Sequence, residues 1–323
     1  MRHTGTSAGI PGFILQLHSN TLDASFRLAR SQFIMVVIEV VGLLRSTDYH
    51  VAKVAAEVLR SHHPNHFEDP VLKGLLEFEW DEFLSHKKTE FRGELWAYKD
   101  SVICFADGQP VGGAKTFLDW ASALDYSDYR PTPLYAALAN DAYLDRFKDP
   151  ELQFVFLDVA VDNEPAGKLV FELYKQKCPK TCDNFKMLCT GEMGESSNKV
   201  TLHYKTSVIH RIVPNGWIQG GDIEYGSGAG GESVYGETFE DENYSVLHSQ
   251  RGVLGMANKG RHTNGSQFYI TLKASQWMDR HYVAFGQLVE GTQVLNKLEA
   301  VKTYNERPIV PVKITDCGIY QPS

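Results

Sequence analysis

Cysteine is scarce in this sequence, and its spacing suggests no disulfide framework. Five cysteines occur among 323 residues, so the count is odd. A large chain with this pattern is typical of a reducing, intracellular compartment. Cys178, Cys182 and Cys189 could be imagined as metal ligands, but no CxxC or histidine pair completes a tetrahedral zinc set. We therefore expect free thiols on a helix, with no metal and no cofactor.

Long apolar runs and excess positive charge are also missing. The longest apolar stretch, Phe33–Leu44, is interrupted by Glu39 and Gly42, whereas a membrane span needs about 20 apolar residues. The first thirty residues contain no long hydrophobic region, so we expect no secretory signal. A net charge of −8 favours neither nucleic acid nor an anionic membrane as a partner. These absences predict a cytoplasmic protein.

Length and composition predict two domains. Apolar residues make up 43% of the chain, which is enough for a core in each domain. Residues 1–30 have no periodicity and are predicted to be a flexible leader. Residues 31–126 alternate between strand and helix patterns, and residues 127–150 hold a helical run after two prolines, predicted to be a helical linker. Residues 151–323 form the second predicted domain, where short strands and glycine-rich loops indicate a barrel.

The first of these domains has a strand–helix order that can be followed along the chain. Phe33–Leu44 indicates a buried strand, and Ser46 or Thr47 can cap a helix after it. One apolar face of that helix is predicted at Val51, Val54, Ala55 and Val58. The elements expected next are a helix around Leu75–Leu84, two strands at Glu94–Tyr98 and Ser101–Ala106, a turn at Asp107-Gly108, and a helix after Gly112-Gly113.

This order resembles the thioredoxin/glutaredoxin fold over about ninety residues, and Val102–Gly113 looks like the glutaredoxin strand, Asp-Gly turn and Gly-Gly helix entry. The resemblance implies an α/β domain. Redox chemistry in that family needs a thiolate at the start of the first helix, where this chain has Ser46-Thr47-Asp48-Tyr49, and the family's cis-proline position is Val102. We therefore expect an interaction module that lacks dithiol exchange.

The second domain has a hairpin, a helix and four long motifs. Phe154–Val161 and Lys168–Tyr174 alternate as strands around a loop. A helix is expected to begin at Pro179, with Cys182, Phe185, Leu188 and Cys189 on one face. The motifs are Phe154–Leu188, His210–Pro214 through Gln219–Asp222, Tyr235–Asn243, and Gly255–Asn258 through Thr263–Phe268. In order and spacing they resemble the cyclophilins. The resemblance implies an all-β eight-stranded barrel with two helices, which binds proline-containing peptides or proteins.

The same resemblance assigns the site. Rotation of an X-Pro bond crosses a barrier of roughly 18–20 kcal/mol, and a catalyst must favour the twisted amide over the planar one. The family uses an arginine hydrogen-bonded to the prolyl nitrogen, which here is Arg211. Gln219 and Gln267 match the pocket glutamines, Asn258 the residue whose backbone holds the substrate, Ala257 its small neighbour, and Trp277 the tryptophan at the pocket rim.

Several pocket positions depart from the family. The aromatic wall five positions after Arg211 is replaced by Gly216, with Trp217 one step later. The phenylalanine of the pocket floor is Tyr269, whose hydroxyl needs a partner if it is buried. The remaining departures are Met278, Tyr282, and an inserted loop at Glu195–Leu202. Because lost packing and orientation can cost orders of magnitude in rate, we expect isomerase activity to be weak or absent.

Two hypotheses of function follow. In the first, the chain is a proline-binding and assembly module, a subunit of a multiprotein complex; resemblance to cyclophilins with such an extension implies motile cilia and the axoneme. In the second, it is a working isomerase, because Arg211, Gln219 and Gln267 are present.

Two further motifs are discounted. Gly226–Gly231 matches GxGxxG without the helix that a dinucleotide site requires, and Glu240-Asp241-Glu242 lacks the spacing of a calcium loop.

Overall fold

The computed structural model describes residues 35–127 and 130–322, so the predicted leader at 1–30 lies outside the described residues. In the N-terminal part, four strands form a mixed sheet in the order β2-β1-β3-β4, with β1 and β2 parallel and the other pairs antiparallel. The strands are β1 (Ile38–Leu43), β2 (Val71–Leu75), β3 (Val102–Ala106) and β4 (Gln109–Gly112). The helices are α1 (Thr47–His62), α2 (Glu77–Phe91) and α3 (Ala114–Ser122). The α/β class is confirmed, and the thioredoxin-like assignment stays a prediction.

Helix α1 begins where the sequence predicts but buries a different face. Ser46 is the cap, since its Oγ accepts the Asp48 backbone N–H at 3.2 Å. The predicted valines at 51, 54 and 58 are only half-buried. The residues fully buried at this spacing are Ala52, Ala55, Ala56 and Leu59. The buried stripe is therefore centred about one residue further along, because small alanine side chains let the helix approach the sheet.

Between α2 and β3 the predicted strand at Glu94–Tyr98 is wrong. Gly93–Ala97 is a short 3₁₀ helix, and the backbone reverses before it because Arg92 and Gly93 both have positive φ, at 52° and 53°. Strand β3 instead forms its hairpin with β4 across the predicted Asp107-Gly108 turn. The short strand β2, which pairs with β1, was not expected because its sequence lacks clear alternation.

A fourth helix, α4 (Thr132–Lys148), lies against both parts of the molecule. It packs on α1, and Tyr143 Oη lies 3.0 Å from Oη of Tyr320 in the barrel. Helix α2 also contacts the barrel, since Phe78 belongs to the barrel's hydrophobic core. The helical run is confirmed, while the boundaries predicted at 126, 127 and 150 stay predictions.

The C-terminal part is a closed barrel of eight strands, as predicted, in the order β10-β8-β7-β14-β5-β6-β11-β9. The strands are β5 (Gln153–Val161), β6 (Glu164–Leu173), β7 (Val208–Val213), β8 (Trp217–Asp222), β9 (Val253–Met256), β10 (Phe268–Thr271), β11 (Ala284–Glu290) and β14 (Val312–Ile319). A small hairpin of β12 (Thr303–Tyr304) and β13 (Arg307–Pro308) lies beside β7. The predicted loop between β5 and β6 is shorter than expected, because Asp162 and Asn163 turn the chain with φ of 53° and 66°.

Two helices accompany the barrel: α5 (Pro179–Thr190) and α6 (Thr292–Glu299). Helix α5 buries Cys182, Phe185, Leu188 and Cys189, the face that the sequence predicts. Gly191 ends it in the left-handed conformation at φ 68°. All five cysteines are free and buried, and burial raises the pKa of the Cys178 thiol to about 11. None of the helices in the described part of the chain is long and apolar enough to cross a membrane.

Candidate functional site

Three predicted site residues lie in one row across adjacent strands. The β7–β8 register pairs Arg211 with Gln219, and the β8–β10 register pairs Gln219 with Tyr269. Directly paired residues have their side chains on the same face, with Cβ atoms about 4.5–5.5 Å apart. The strand register therefore places a guanidinium, an amide and an aromatic ring side by side.

The two pocket glutamines belong to one hydrogen-bond chain. Trp217 Nε1–H donates to Gln219 Oε1 at 3.4 Å, and Gln219 Nε2 donates to Gln267 Oε1 at 3.0 Å. Gln267 Nε2 in turn donates to the carbonyls of Gly228 at 3.0 Å and Gly230 at 2.7 Å. Each amide thus has a fixed orientation, and the glycine-rich loop is tied to the groove.

That glycine-rich loop wraps around a carboxylate of the chain itself. Asp222 accepts backbone N–H groups from residues 224, 225, 227, 228 and 230. Burial alone would raise the pKa of the Asp222 carboxyl, but these hydrogen bonds hold it below its usual range. The glycines of the GxGxxG pattern let the loop fold around Asp222. This role explains the pattern, and nucleotide binding is not needed to explain it.

The acidic run Glu240-Asp241-Glu242 is likewise used internally. The Glu242 carboxylate accepts the backbone N–H groups of Lys180 at 3.0 Å and Thr181 at 2.9 Å, at the N-terminus of α5. A negative charge is favourable there. Among residues 35–127 and 130–322, no group of three or more histidine, cysteine or acidic side chains is placed to hold a metal ion.

Arg211 has a partner that sequence reasoning missed. Its Nε donates to Oε2 of Glu306 at 2.7 Å, and its Cζ lies 4.9 Å from the centroid of the Trp217 ring. Glu306 follows Asn305 in the turn between β12 and β13. It lies 95 residues from Arg211 in sequence, and no local pattern signals a contact over that separation.

The pocket floor has a second unexpected partner. Tyr269 is buried, and its Oη lies 2.5 Å from Nε2 of His248, whose Nδ1 lies 2.8 Å from Oδ1 of Asp279. Burial lowers the pKa of His248 and outweighs the opposing effect of Asp279, so the ring is neutral. Since the Asp279 carboxylate can only accept, Nδ1 carries the proton and Nε2 accepts the Tyr269 hydroxyl.

Room for this hydroxyl comes from a glycine. A Cβ at Gly255 would lie 2.2 Å from Oη of Tyr269, so any larger residue would displace the ring. The tyrosine hydroxyl is consequently satisfied inside the barrel and does not add an unpaired polar group to the floor.

Aromatic rings continue from the floor to the rim. Tyr282 meets Tyr269 nearly edge-on at 5.8 Å between centroids, and Trp277 lies 6.3 Å from Tyr282. Trp217 lies 5.7 Å from Trp277. Trp277 is 58% exposed, whereas Met278 beside it is buried. These rings form a continuous aromatic surface that reaches from the Trp217 indole over Arg211 to the floor.

The wall position is Gly216, which has no side chain. Gly216 lies in the β7–β8 turn, where its N–H donates to the Val213 carbonyl at 2.8 Å. A Cβ at Gly216 would lie 2.9 Å from Cγ1 of Val213. Trp217 lies in β8, paired with Val213 and Thr271, and its indole packs against Arg211 and Trp277 from this next position.

Ala257 and Asn258 continue from the end of β9. The Ala257 N–H donates to the Gln267 carbonyl at 3.0 Å, and Asn258 Nδ2 donates to the carbonyl of His281 at 3.0 Å. This second bond ties the predicted backbone-binding segment to the residues after Trp277. The predicted insertion at Glu195–Leu202 is a loop beyond α5, held by a contact between Asn198 and Glu232. The ligand-binding roles of the site residues stay predictions.

Comparison with known proteins identifies the barrel. The family model described as "Cyclophilin type peptidyl-prolyl cis-trans isomerase/CLD" matches residues 156–319. The Homo sapiens protein named "Probable inactive peptidyl-prolyl cis-trans isomerase-like 6" is 55% identical over 282 residues, which are 87% of this chain and 91% of that protein. The Mus musculus protein of the same name is 53% identical over 283 residues, 87% of this chain and 90% of its own.

A solved structure of a Cryptosporidium parvum cyclophilin type peptidyl-prolyl cis-trans isomerase is 36% identical, with a TM-score of 0.47, and covers 53% of this chain and 99% of its own. The family model and the two relatives agree with the closed eight-stranded barrel and its motifs. The chain belongs to the cyclophilin-type peptidyl-prolyl cis-trans isomerase family.

Proposed function

We propose that this chain is a proline-peptide-binding and assembly module with weak or absent isomerase activity. The observation that carries the proposal is the row of Arg211, Gln219 and Tyr269 across β7, β8 and β10. It places the Arg211 guanidinium next to Trp217, whose ring lies beside Trp277. Trp277 is 58% exposed and offers an aromatic surface for the proline ring. Extended proline-rich segments dock on aromatic-lined grooves at low entropic cost.

The same groove is poorly built for turnover. Stabilising the twisted amide requires a well-placed guanidinium and a proline ring held in one orientation. Here the Arg211 guanidinium is already hydrogen-bonded to Glu306, and the wall position is Gly216. The names of the human and mouse relatives carry the word "inactive", which supports the same reading.

The assembly role rests on the N-terminal part and on kinship. We propose that residues 31–126 form a thioredoxin-like interaction domain, joined through the helical segment 127–150 to the cyclophilin-type domain at 151–323. Its one cysteine, Cys104, is buried in β3, and burial raises its pKa, which disfavours thiol chemistry. We further propose that the protein is a cytoplasmic component of a ciliary axonemal complex. This placement is tested by detergent extraction of cilia, where release of all the protein with the soluble matrix would refute it.

Peptide binding is tested by NMR titration of the ¹⁵N-labelled protein with an Ala-Pro peptide. We expect amide shifts concentrated at Gln219, Asn258 and Trp277, and their loss in Arg211→Ala. Shifts scattered over the N-terminal sheet, or none at all, would refute the groove as the binding site.

A working isomerase is the second candidate, favoured by the retained Arg211, whose remaining guanidinium N–H groups extend beyond the Nε contact. Exchange spectroscopy on the same peptide separates the two candidates. Exchange peaks that appear at catalytic protein concentrations and vanish with Arg211→Ala would establish turnover and overturn the weak-activity proposal.

A further inference from the structure

We propose that Glu306 is an autoinhibitory latch on Arg211, which holds the guanidinium away from a bound peptide. This inference rests on the proposed function of the groove and adds its regulation. The Glu306 carboxylate takes the Nε edge of the guanidinium at 2.7 Å, while the Trp217 ring lies 4.9 Å from Cζ. Both the charge and one edge of Arg211 are thus engaged by side chains of the same chain.

The backbone around Glu306 places its carboxylate firmly. The hairpin pairs Tyr304 with Arg307, and the two turn residues between them, Asn305 and Glu306, have φ of 47° and 64°. The Ile212 N–H donates to the Glu306 carbonyl at 2.8 Å. Ile212 is the residue after Arg211 in β7. This bond therefore holds the Glu306 backbone next to the residue that the Glu306 side chain contacts.

Glu306 is an unfavourable residue for its own backbone. Two-residue turns with positive φ at both positions favour Asn-Gly, because glycine adopts the left-handed region without a steric penalty. A side chain at the second position is disfavoured by Cβ contacts with the backbone. A glutamate held there is an outlier of the kind that clusters at switch and ligand-binding regions, and its ion pair with Arg211 offsets only part of the backbone penalty.

The latch is weak enough to be opened. The Arg211 and Glu306 side chains are 41% and 45% exposed, and ion pairs at such exposure shift an equilibrium by about fivefold at most. A peptide carbonyl competes with the carboxylate for the same guanidinium. Salt screens exposed ion pairs. Added salt should therefore weaken the contact between Arg211 and Glu306, as a substitution that removes the Glu306 charge would.

The test compares the full chain with Glu306→Gln in titrations with the Ala-Pro peptide. Glutamine keeps the length of the side chain and removes its charge. We expect Glu306→Gln to bind about two- to fivefold more tightly than the unmodified chain at low salt. The unmodified chain should gain affinity as salt is raised, while Glu306→Gln should not.

Asp316→Asn is the matched control. Asp316 pairs with Lys205 at 2.9 Å, with side chains 52% and 49% exposed, so the substitution removes an equal charge from a comparable ion pair that does not involve a groove residue. Its peptide affinity and salt response should follow those of the unmodified chain. If Asp316→Asn binds as tightly as Glu306→Gln, a general charge effect replaces the latch.

The outcomes separate this inference from the proposed function. If the unmodified chain and Glu306→Gln bind equally at every salt concentration, the latch is refuted and the binding groove stands. If Glu306→Gln binds more tightly than the unmodified chain at low salt and the difference disappears as salt is raised, the latch and the groove are both supported. If neither binds, the groove is not a peptide site, and the latch fails with it.

Discussion

The hydroxyl of Tyr269 lies 2.5 Å from Nε2 of His248, so the polar atom added to the pocket floor is paired inside the barrel. His248 is fully buried and is held from its other side by Asp279. Tyr269 is only 2% exposed, and its hydroxyl is paired with this buried histidine. The departure at this position changes the barrel interior more than it changes the binding surface.

Tyr269→Phe should destabilise the protein without weakening peptide binding. The substitution leaves Nε2 of His248 buried without a partner, which costs about 1–3 kcal/mol. Urea unfolding measures the loss of free energy, and the NMR titration measures affinity. Tyr304→Phe, at a position 75% exposed, is the control and should change neither. A loss of peptide binding at unchanged stability would contradict the inward-facing role of the hydroxyl.

Acid should destabilise the protein through His248. Its pKa in the folded state is lowered, so below the usual histidine value of about 6.5 the unfolded chain binds a proton that the folded chain does not. The stabilisation is present above that pH and is lost as the pH falls below it. His50 and His210, whose pKa values are also lowered by burial, act in the same direction.

Imidazole ¹⁵N spectra isolate the share of His248 in this effect. We expect the neutral ring, protonated on Nδ1, to predominate in the folded protein at about pH 6.5, where an ordinary histidine is half protonated. A predominant imidazolium signal from His248 at that pH would contradict the assigned hydrogen-bond chain from Tyr269 to Asp279.

Gly216→Phe should raise isomerase activity by restoring an aromatic wall beside Arg211. Improved orientation of the proline ring is expected to increase the rate by about tenfold. Because a Cβ at this position would lie 2.9 Å from Cγ1 of Val213, the substitution is best combined with Val213→Ala. Val213→Ala alone serves as the control in the exchange measurement. An unchanged exchange rate in the double variant would show that the missing wall does not limit turnover.

Trp277→Ala should weaken peptide binding by about five- to tenfold, since truncating an exposed aromatic anchor costs about 1–1.5 kcal/mol. Trp96→Ala is the matched control, because Trp96 is 73% exposed but lies in the N-terminal 3₁₀ helix. Both affinities come from the same titration. Equal losses in the two variants would place the binding surface elsewhere.

The sequence is informative where a feature is encoded in neighbouring residues. The long motifs predict the barrel and the residues of the row from Arg211 to Tyr269. The spacing of apolar residues in α5 predicts the face that this helix buries. The contacts that modify the site come from distant positions. Glu306 reaches Arg211 across 95 residues, and His248 reaches Tyr269 across 21, so no periodicity or turn signal in the chain could reveal them.

Errors in the N-terminal part have a different physical cause. In α1 the three valines of the predicted face are only half-buried, while the predicted Ala55 is buried together with Ala52 and Ala56. Alanine carries too little hydrophobic surface to stand out in a sequence pattern. The stretch at Glu94–Tyr98 has strand-like composition, yet the backbone enters it from two successive residues with positive φ. Close packing against the sheet determines which face of α1 is buried. Local backbone geometry determines that Glu94–Tyr98 is not a strand.

The position of Phe78 has a mechanical consequence. This side chain projects from α2 of the N-terminal part into the hydrophobic core of the barrel, and its Cζ would lie 2.8 Å from a Cβ added at Gly252. A tensile load applied to the N-terminal sheet would therefore be transmitted directly to the barrel interior. Separating the two parts would require withdrawing the Phe78 ring from the barrel core.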